Sequence, residues 1–304
     1  MRAASAAPAR ISPTGTLIET ARAGEPGLRT RLERLARHNP IGVLGLAVLL
    51  VVVLLAIFAG QVAPFDPAAQ PAERLTAPNQ TYLFGTDEFG RDVFSRVVWG
   101  TRISLYVGIV SVAIALVIGV NLGLLSGYYG GWADSLIMRV VDVLFAFPTI
   151  ILAITITGIL GPSLTNATFA IGIVFAPVFA RVTRGPVLSV INLDYVEAAR
   201  TVGASDRRII MRYVLPNIAA PLIVQTTLAL STAILAEAAL SYLGLGTQPP
   251  APSWGTMLGT GRKFLELSPW IAIFPGLAIM ITVLAFNLLG DGLRDILDPR
   301  LRGS

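Results

Sequence analysis

The sequence predicts an all-α membrane protein, a bundle of six transmembrane helices, and three observations carry that prediction. Only 13% of the 304 residues are charged while 54% are apolar, and the mean hydropathy is +0.71. A soluble domain carries charge on about a quarter of its residues, so this chain could not solvate its own surface in water. Long uncharged runs recur along it, each near the roughly 20 residues that a helix needs to cross the hydrocarbon core. Period-2 alternation is absent, which argues against a barrel, and irregular backbone facing lipid would leave amides unpaired.

Residues 41–60 carry no charge and are rich in Val and Leu, giving a first span at about 41–62. Asn39 can act as its N-cap and Pro40 can occupy the first helical position. A cleaved signal peptide would have a shorter apolar core, about 7–15 residues, and would not follow a tail of 38 residues. The span is therefore expected to be retained. The 31 uncharged residues 103–133 give a second span at about 103–126, ending near the glycines of 127–131. The 38 uncharged residues 143–180 are too many for one helix. They divide into spans at about 141–160 and 164–183, with Gly161, Pro162 and Ser163 as the turn. Two runs of 24 residues supply spans at about 216–240 and 268–290. The membrane domain is thus 39–290, flanked by a basic tail at 1–38 and a short tail at 291–304.

Orientation follows from the basic residues. Seventeen of the 23 Lys and Arg fall in the N-terminal tail, the loops after spans two and four, and the C-terminal tail, against six on the opposite side. Both termini are expected in the cytoplasm. The net charge of +5 then records orientation and calls for no nucleic acid. In the tail, Leu28, Leu32 and Leu35 recur at helical spacing among arginines. They suit either a short helix on anionic lipid or a solvated basic tail.

Several chemistries are excluded. The chain has no Cys and one His, His38, which removes disulfides, thiol chemistry, Cys-ligated metals and most His-based catalysis. An intramembrane serine protease would need a His base within the spans, and the aspartyl type would need Tyr-Asp and Gly-x-Gly-Asp motifs there. A P-loop of the Gly-x-x-x-x-Gly-Lys form is missing, since the only lysine is Lys263 after Arg262. The chain is therefore not expected to be an enzyme, and no cofactor or metal is expected. A self-sufficient secondary carrier is the remaining alternative, but the inverted repeats common in such carriers are not evident.

The informative segment is the loop at 185–215. It contains Asp194-Tyr195-Val196-Glu197-Ala198-Ala199-Arg200-Thr201-Val202-Gly203-Ala204-Ser205. Asp194 and Glu197 have capping-box spacing. Gly203 is a natural helix stop, and Ser205 can cap a second helix running toward Pro216. Tyr195, Ala198, Ala199 and Val202 share one face at the i, i+3, i+4, i+7 spacing. That face is too weakly apolar for lipid and suits a groove on a partner protein, with a generic surface helix as the alternative.

Glu197-Ala198-Ala199, then Gly203, then Leu215-Pro216 resembles the EAA loop of binding-protein-dependent ABC importer permeases. Tyr213 departs from the aliphatic residue usual there, which touches packing more than docking. Further segments resemble the peptide- and nickel-type importers, on the C-type side of a permease heterodimer. They are Gly85-Thr86-Asp87, Gly90-Arg91-Asp92, Ser95-Arg96, Gly130-Gly131 with Asp134, Pro252-Ser253-Trp254-Gly255 and Asp298-Pro299-Arg300. The resemblance implies the ABC importer permease fold, with Glu197, Ala198, Ala199, Gly203, Leu215 and Pro216 docking on the ATPase. It also implies the partners: a second permease subunit, one or two cytoplasmic ABC ATPase subunits that hydrolyse the ATP, and an extracytoplasmic solute-binding protein. The implied cargo is a di- or oligopeptide, with glutathione-like peptides and nickel chelates as alternatives.

Polar residues in the spans are the remaining candidates, because a charge at the bilayer centre costs roughly 2.5–3.5 kcal/mol on insertion scales. Glu237 could line the outer part of a pathway or pair within the bundle. Arg139 and Asp142 are three apart and can pair across one turn, with a gate as the sharper reading. Asn121 and Asn287 could line the pathway or join helices as polar glue.

Overall fold

The computed structural model describes residues 39–297. The basic tail with Leu28, Leu32, Leu35 and His38, and the terminal Asp298, Pro299 and Arg300, lie outside the described residues. Helix α1 (Pro40–Ile57) starts on its proline, whose fixed φ suits a first turn and whose missing N–H would have had no helical partner there. One turn, α2 (Ala59–Val62), leads into a segment without regular structure at 63–92. Helix α3 (Val93–Tyr129) is the longest at 37 residues. It overruns the expected span at both ends because Asp92 caps it early, accepting the Ser95 N–H at 2.8 Å.

Next come α4 (Gly131–Phe145), α5 (Thr149–Leu160) and α6 (Leu164–Val190). The connecting loop holds α7 (Asp194–Thr201), α8 (Asp206–Ile209), a π-helical turn (Ile210–Val214) and α9 (Leu215–Asn217). The chain closes with α10 (Ala219–Tyr242), α11 (Trp254–Gly261) and α12 (Trp270–Leu297). Among the described residues there is no strand, only an isolated bridge between Thr86 and Asp92.

Helices α1, α3, α6, α10 and α12 are each long and apolar enough to cross a membrane, and α4 with α5 supplies a sixth if the pair is one span. The single span expected at about 141–160 is instead the end of α4 and the whole of α5, which meet at 90°. Pro148 has no N–H to continue the helix and disfavours helical geometry at Phe147, so the chain turns between them.

The tightest packing joins α3 to α6. Gly119, Gly123 and Gly127 stand four apart on one face of α3, so they form a groove into which the backbone of α6 sinks. A Cβ on Gly119 would strike the Ala176 carbonyl; one on Gly123 would lie 2.5 Å from the Ala180 carbonyl oxygen, and one on Gly127 2.8 Å from Val187. Lipid tails give helices no hydrophobic reason to associate, so van der Waals contact through small residues has to supply it. Helix α1 uses the same device at Gly45, beside the Ala285 carbonyl of α12. Its other faces expose Leu44, Leu46 and Leu50, as expected for a helix solvated by lipid. Arg102 of α3 ends α1 by donating to the Ala56 and Ile57 carbonyls.

The helix directions place 191–217 at one end of the bundle, the loop end, with 63–92 and 243–269 at the far end. At the far end α11 is bedded against α3. Its Trp254 indole donates to the Val97 carbonyl at 2.9 Å, and Ser253 with Thr256 forms a capping box at its start.

Candidate functional site

The loop end is built around α7. The structure corrects how that helix begins. Leu193 occupies the N-cap position and offers no side-chain bond, and Asp194 is already helical. The capping box expected from Asp194 and Glu197 is therefore absent, and both carboxylates act instead as first-turn charges favoured by the helix dipole. Ser205 sits at the N-cap of α8, likewise without a side-chain bond.

The stop of α7 is as expected. Gly203 has φ +80°, which glycine adopts without the Cβ penalty. Its N–H donates to the Arg200 carbonyl at 2.9 Å, and the Ala204 N–H donates to the Ala199 carbonyl at 3.0 Å. Those two bonds make a Schellman motif. The single helix expected from Ser205 to Pro216 is not continuous. A π turn precedes α9 because Pro216 cannot donate and its ring crowds the carbonyl four residues back.

Burial divides the expected docking face. Val196 and Ala199 turn inward and join the core, so Ala199 is corrected from contact face to packing. Tyr195, Ala198 and Val202 stay outside, with Tyr195 41% and Val202 84% exposed. Glu197 is also exposed, bordering a recess with Asn192, Arg200 and Thr201. Leu215 and Pro216 lie in α9, one turn before α10.

Three side-chain clasps hold this end of the bundle, and the first of them reaches into the loop. Tyr128, at the end of α3, donates its hydroxyl to Asp206 Oδ1 at 2.8 Å, and the Arg200 guanidinium lies 5.3 Å from the centre of its ring. Asp134 of α4 receives Arg184 of α6 through two bonds of 2.6 Å, and also accepts from Ser126 of α3. Asp142 of α4 takes Arg181 of α6 at 2.6 Å, with the guanidinium over Phe145. The expected Arg139–Asp142 pair is thus corrected. Arg139 is exposed, and the packing of α4 against α6 brings Arg181, seated over Phe145, onto Asp142 instead.

The other polar candidates separate cleanly. Glu237 is 0% exposed, which removes it from any surface of this chain that could line a pathway. Its carboxylate accepts from Ser241 at 2.7 Å and from Ser104 of α3 at 3.3 Å. Ser241 Oγ in turn accepts the Thr247 N–H at 3.0 Å. Asn287 accepts from Ser231 at 2.8 Å, joining α12 to α10. Asn121 lies on the exposed side of α3 and donates only to the Val117 carbonyl.

Sequence reasoning missed a groove along α6 and α10, closed on one side by the α4–α5 bend. Its wall is apolar with Phe175 at the centre, and Thr149, Thr232 and Gln225 supply polar points along it. Toward the loop end it continues past Gln225 to Asn217 and Arg294. No motif marks these positions. Only the uncharged polar residues inside runs of apolar ones could have signalled them.

The comparisons with known proteins agree with this architecture. The family model of binding-protein-dependent transport system inner membrane components matches residues 119–303. That of the N-terminal TM domain of oligopeptide transport permease C matches 34–80. The dipeptide transport system permease protein DppC of Alkalihalophilus pseudofirmus is 48% identical over 267 residues, covering 88% of each chain. The di/tripeptide transport system permease protein DppC of Pseudomonas aeruginosa is 48% identical over 274 residues, covering 88% of this chain and 90% of its own length. The glutathione transport system permease protein GsiD of Pectobacterium atrosepticum is 47% identical over 271 residues, with the same coverage of both chains. Among solved structures, an inward-facing MetNI methionine ABC transporter shares the fold with a TM-score of 0.54 at 22% identity. The match covers 67% of this chain and 97% of that one. Family model, relatives and fold lead to one conclusion: the chain belongs to the binding-protein-dependent transport system inner membrane components, the multi-pass permeases of ABC importers.

Proposed function

We propose that this chain is one half of a gated peptide pathway, a C-type permease subunit that pairs with a second permease and is driven by one or two cytoplasmic ABC ATPase subunits. The observation that carries the reading is α7: a short helix held at the loop end by buried Val196 and Ala199 while Tyr195, Ala198 and Val202 face outward. Glu197, Arg207, Arg208 and Arg212 surround it with exposed charge, which suits a protein partner better than lipid. In this reading the loop end and both termini are cytoplasmic, as the excess of arginine there supports.

ATP-driven closure of the ATPases pushes α7. Gly203 fixes where α7 ends, Leu215 and Pro216 hinge the loop onto α10, and the Tyr128 and Asp134 clasps carry the displacement into α3, α4 and α6. Linkage requires that the ATPase contacts differ between the outward- and inward-open states. The groove along α6 and α10 is this subunit's wall of the pathway. Its spaced hydroxyl and amide groups suit the backbone of a peptide without fixing its side chains. Asn121, Arg139 and Asp142 remain candidates for the gate. Relatives named for dipeptides, di/tripeptides and glutathione support a short peptide as cargo.

The test is uptake in proteoliposomes holding the complete complex. Glu197→Lys together with Gly203→Val should leave assembly intact and separate ATP hydrolysis from peptide uptake. Normal coupling in that variant removes the docking role of α7. Uptake that persists without ATP restores the secondary-carrier alternative.

A further inference from the structure

At the far end, a recess lies between the segment 63–92 and the turn that follows α11. Phe89, Pro250 and Phe264 give it apolar walls, and Glu88, Arg91 and Lys263 stand at its rim. None of its lining residues belongs to the groove along α6 and α10, so the recess is separate from that groove.

The charges in the recess do not cancel. Arg91 donates to Asp87 at 2.6 Å and reaches Glu88 at 3.3 Å, while Arg96 lies 3.4 Å from Asp87. Two guanidinium groups are thereby matched by two carboxylates, which leaves Lys263 as the remaining charge of the recess. Lys263 is exposed and, among the described residues, has no ion-pair partner. It is also the only lysine in the chain. Beside it Phe89 is 46% exposed, carrying Arg91 at 4.5 Å from its ring centre. An exposed ammonium without an ion-pair partner, in the same recess as an exposed aromatic, suits the polar rim of an interface and a carboxylate facing it.

We infer that this recess receives an acidic side chain of the solute-binding protein, with Lys263 as the ion-pair partner and Phe89 as the apolar seat. The inference rests on the proposed orientation, in which the far end is extracytoplasmic. A protein is favoured over lipid because one wall is the segment 63–92, which precedes the first residue of α3 and lies outside the spans. The family is binding-protein dependent, so a soluble partner has to engage this end of the molecule.

The absence of cysteine makes the test direct. Lys263→Cys gives the subunit one thiol, probed in the intact complex with a membrane-impermeant maleimide. Labelling from outside spheroplasts, blocked by the binding protein that supports uptake in the reconstituted complex, is the expected result. Labelling only after permeabilisation overturns the orientation, and the inference with it. Labelling from outside without protection overturns the recess alone. Protection by peptide without binding protein, or by phosphatidylglycerol liposomes but not phosphatidylcholine ones, assigns it another occupant and also overturns the inference. Independently, Lys263→Glu should raise the binding-protein concentration for half-maximal uptake by about tenfold, as loss and reversal of an interface charge pair do. Lys263→Arg should hold it within about twofold, and flatten none of its salt dependence. Equal values for Lys263→Glu and the unmodified complex overturn the assignment.

Discussion

Tyr128 donates its hydroxyl to Asp206 across the junction between the longest helix of the bundle and the loop that follows α7. Because Arg200 lies over the same ring, one side chain of α3 grips both halves of the loop. Displacing α7 and α8 together therefore drags the end of α3, whose far end carries Ser104 and its bond to Glu237, together with the contact with Trp254.

Tyr128→Phe separates the two grips. The ring that faces Arg200 stays, and a hydrogen bond to a charged acceptor, worth about 1.5–3 kcal/mol, is lost. The expected outcome is a complex that assembles normally, hydrolyses ATP at near its usual rate, and takes up peptide several-fold less per ATP. Measuring uptake and hydrolysis on the same proteoliposomes checks it. An unchanged ratio shows that α3 is not driven through Tyr128.

Gly203 allows backbone strain to be isolated from crowding. A Cβ there would meet no atom within 4 Å, while φ is +80°. Only the conformational penalty acts, about 1–2 kcal/mol for an ordinary L-residue and less for Asn, which tolerates the left-handed region. Coupling should fall in the order Gly, Asn, Val at this position. Gly119→Leu should behave differently, because its side chain would strike the backbone of α6. Membrane accumulation of the subunit, read by immunoblot, should collapse for Gly119→Leu and stay normal for both Gly203 variants.

The two arginine clasps between α4 and α6 should differ in worth. Asp134 and Arg184 are 19% and 33% exposed, and Asp142 and Arg181 are 64% and 55% exposed. Exposed pairs contribute about 0.2–1 kcal/mol, whereas side chains coupled in one shielded network reach roughly 0.5–3 kcal/mol. Double-mutant cycles on the thermal stability of the purified complex, using Asn and Gln replacements, should give the larger coupling for Asp134 with Arg184. A larger value for Asp142 with Arg181 reverses this ranking.

The helical class and the stop of α7 at Gly203 were legible in the sequence because both rest on local rules: uncharged runs of span length, and a glycine at a helix end. Contacts set by tertiary packing were not. Arg139 and Asp142 satisfy the i, i+3 spacing, yet Arg181, 39 positions later, takes the carboxylate. Ala199 fits the helical stripe with Tyr195 and Ala198, but the docking of α7 on the core turns it inward. The groove was invisible because it depends on how α6, α10 and the bend at Pro148 meet. The ladder of Gly119, Gly123 and Gly127 was written openly at a spacing of four. It signals which face α6 will cover, and so belongs to what a sequence of this kind can reveal.

Glu237 yields a prediction that separates packing from transport. The carboxylate is buried between α3 and α10, where Ser104 and Ser241 donate to it. Gln has nearly the same shape. Its carbonyl can accept one hydroxyl, and its amide can donate to the other, since a serine hydroxyl can turn to accept. Ala would leave both hydroxyls without their acceptor in the buried interior, at about 1–3 kcal/mol for each group left unmade, and would open a cavity besides. If the role is to join the helices, Glu237→Gln should retain both the thermal stability of the complex and peptide uptake, while Glu237→Ala loses several degrees of Tm and accumulates poorly. A Glu237→Gln complex as stable as the unmodified one but unable to transport would show that the acid itself takes part in the transport cycle.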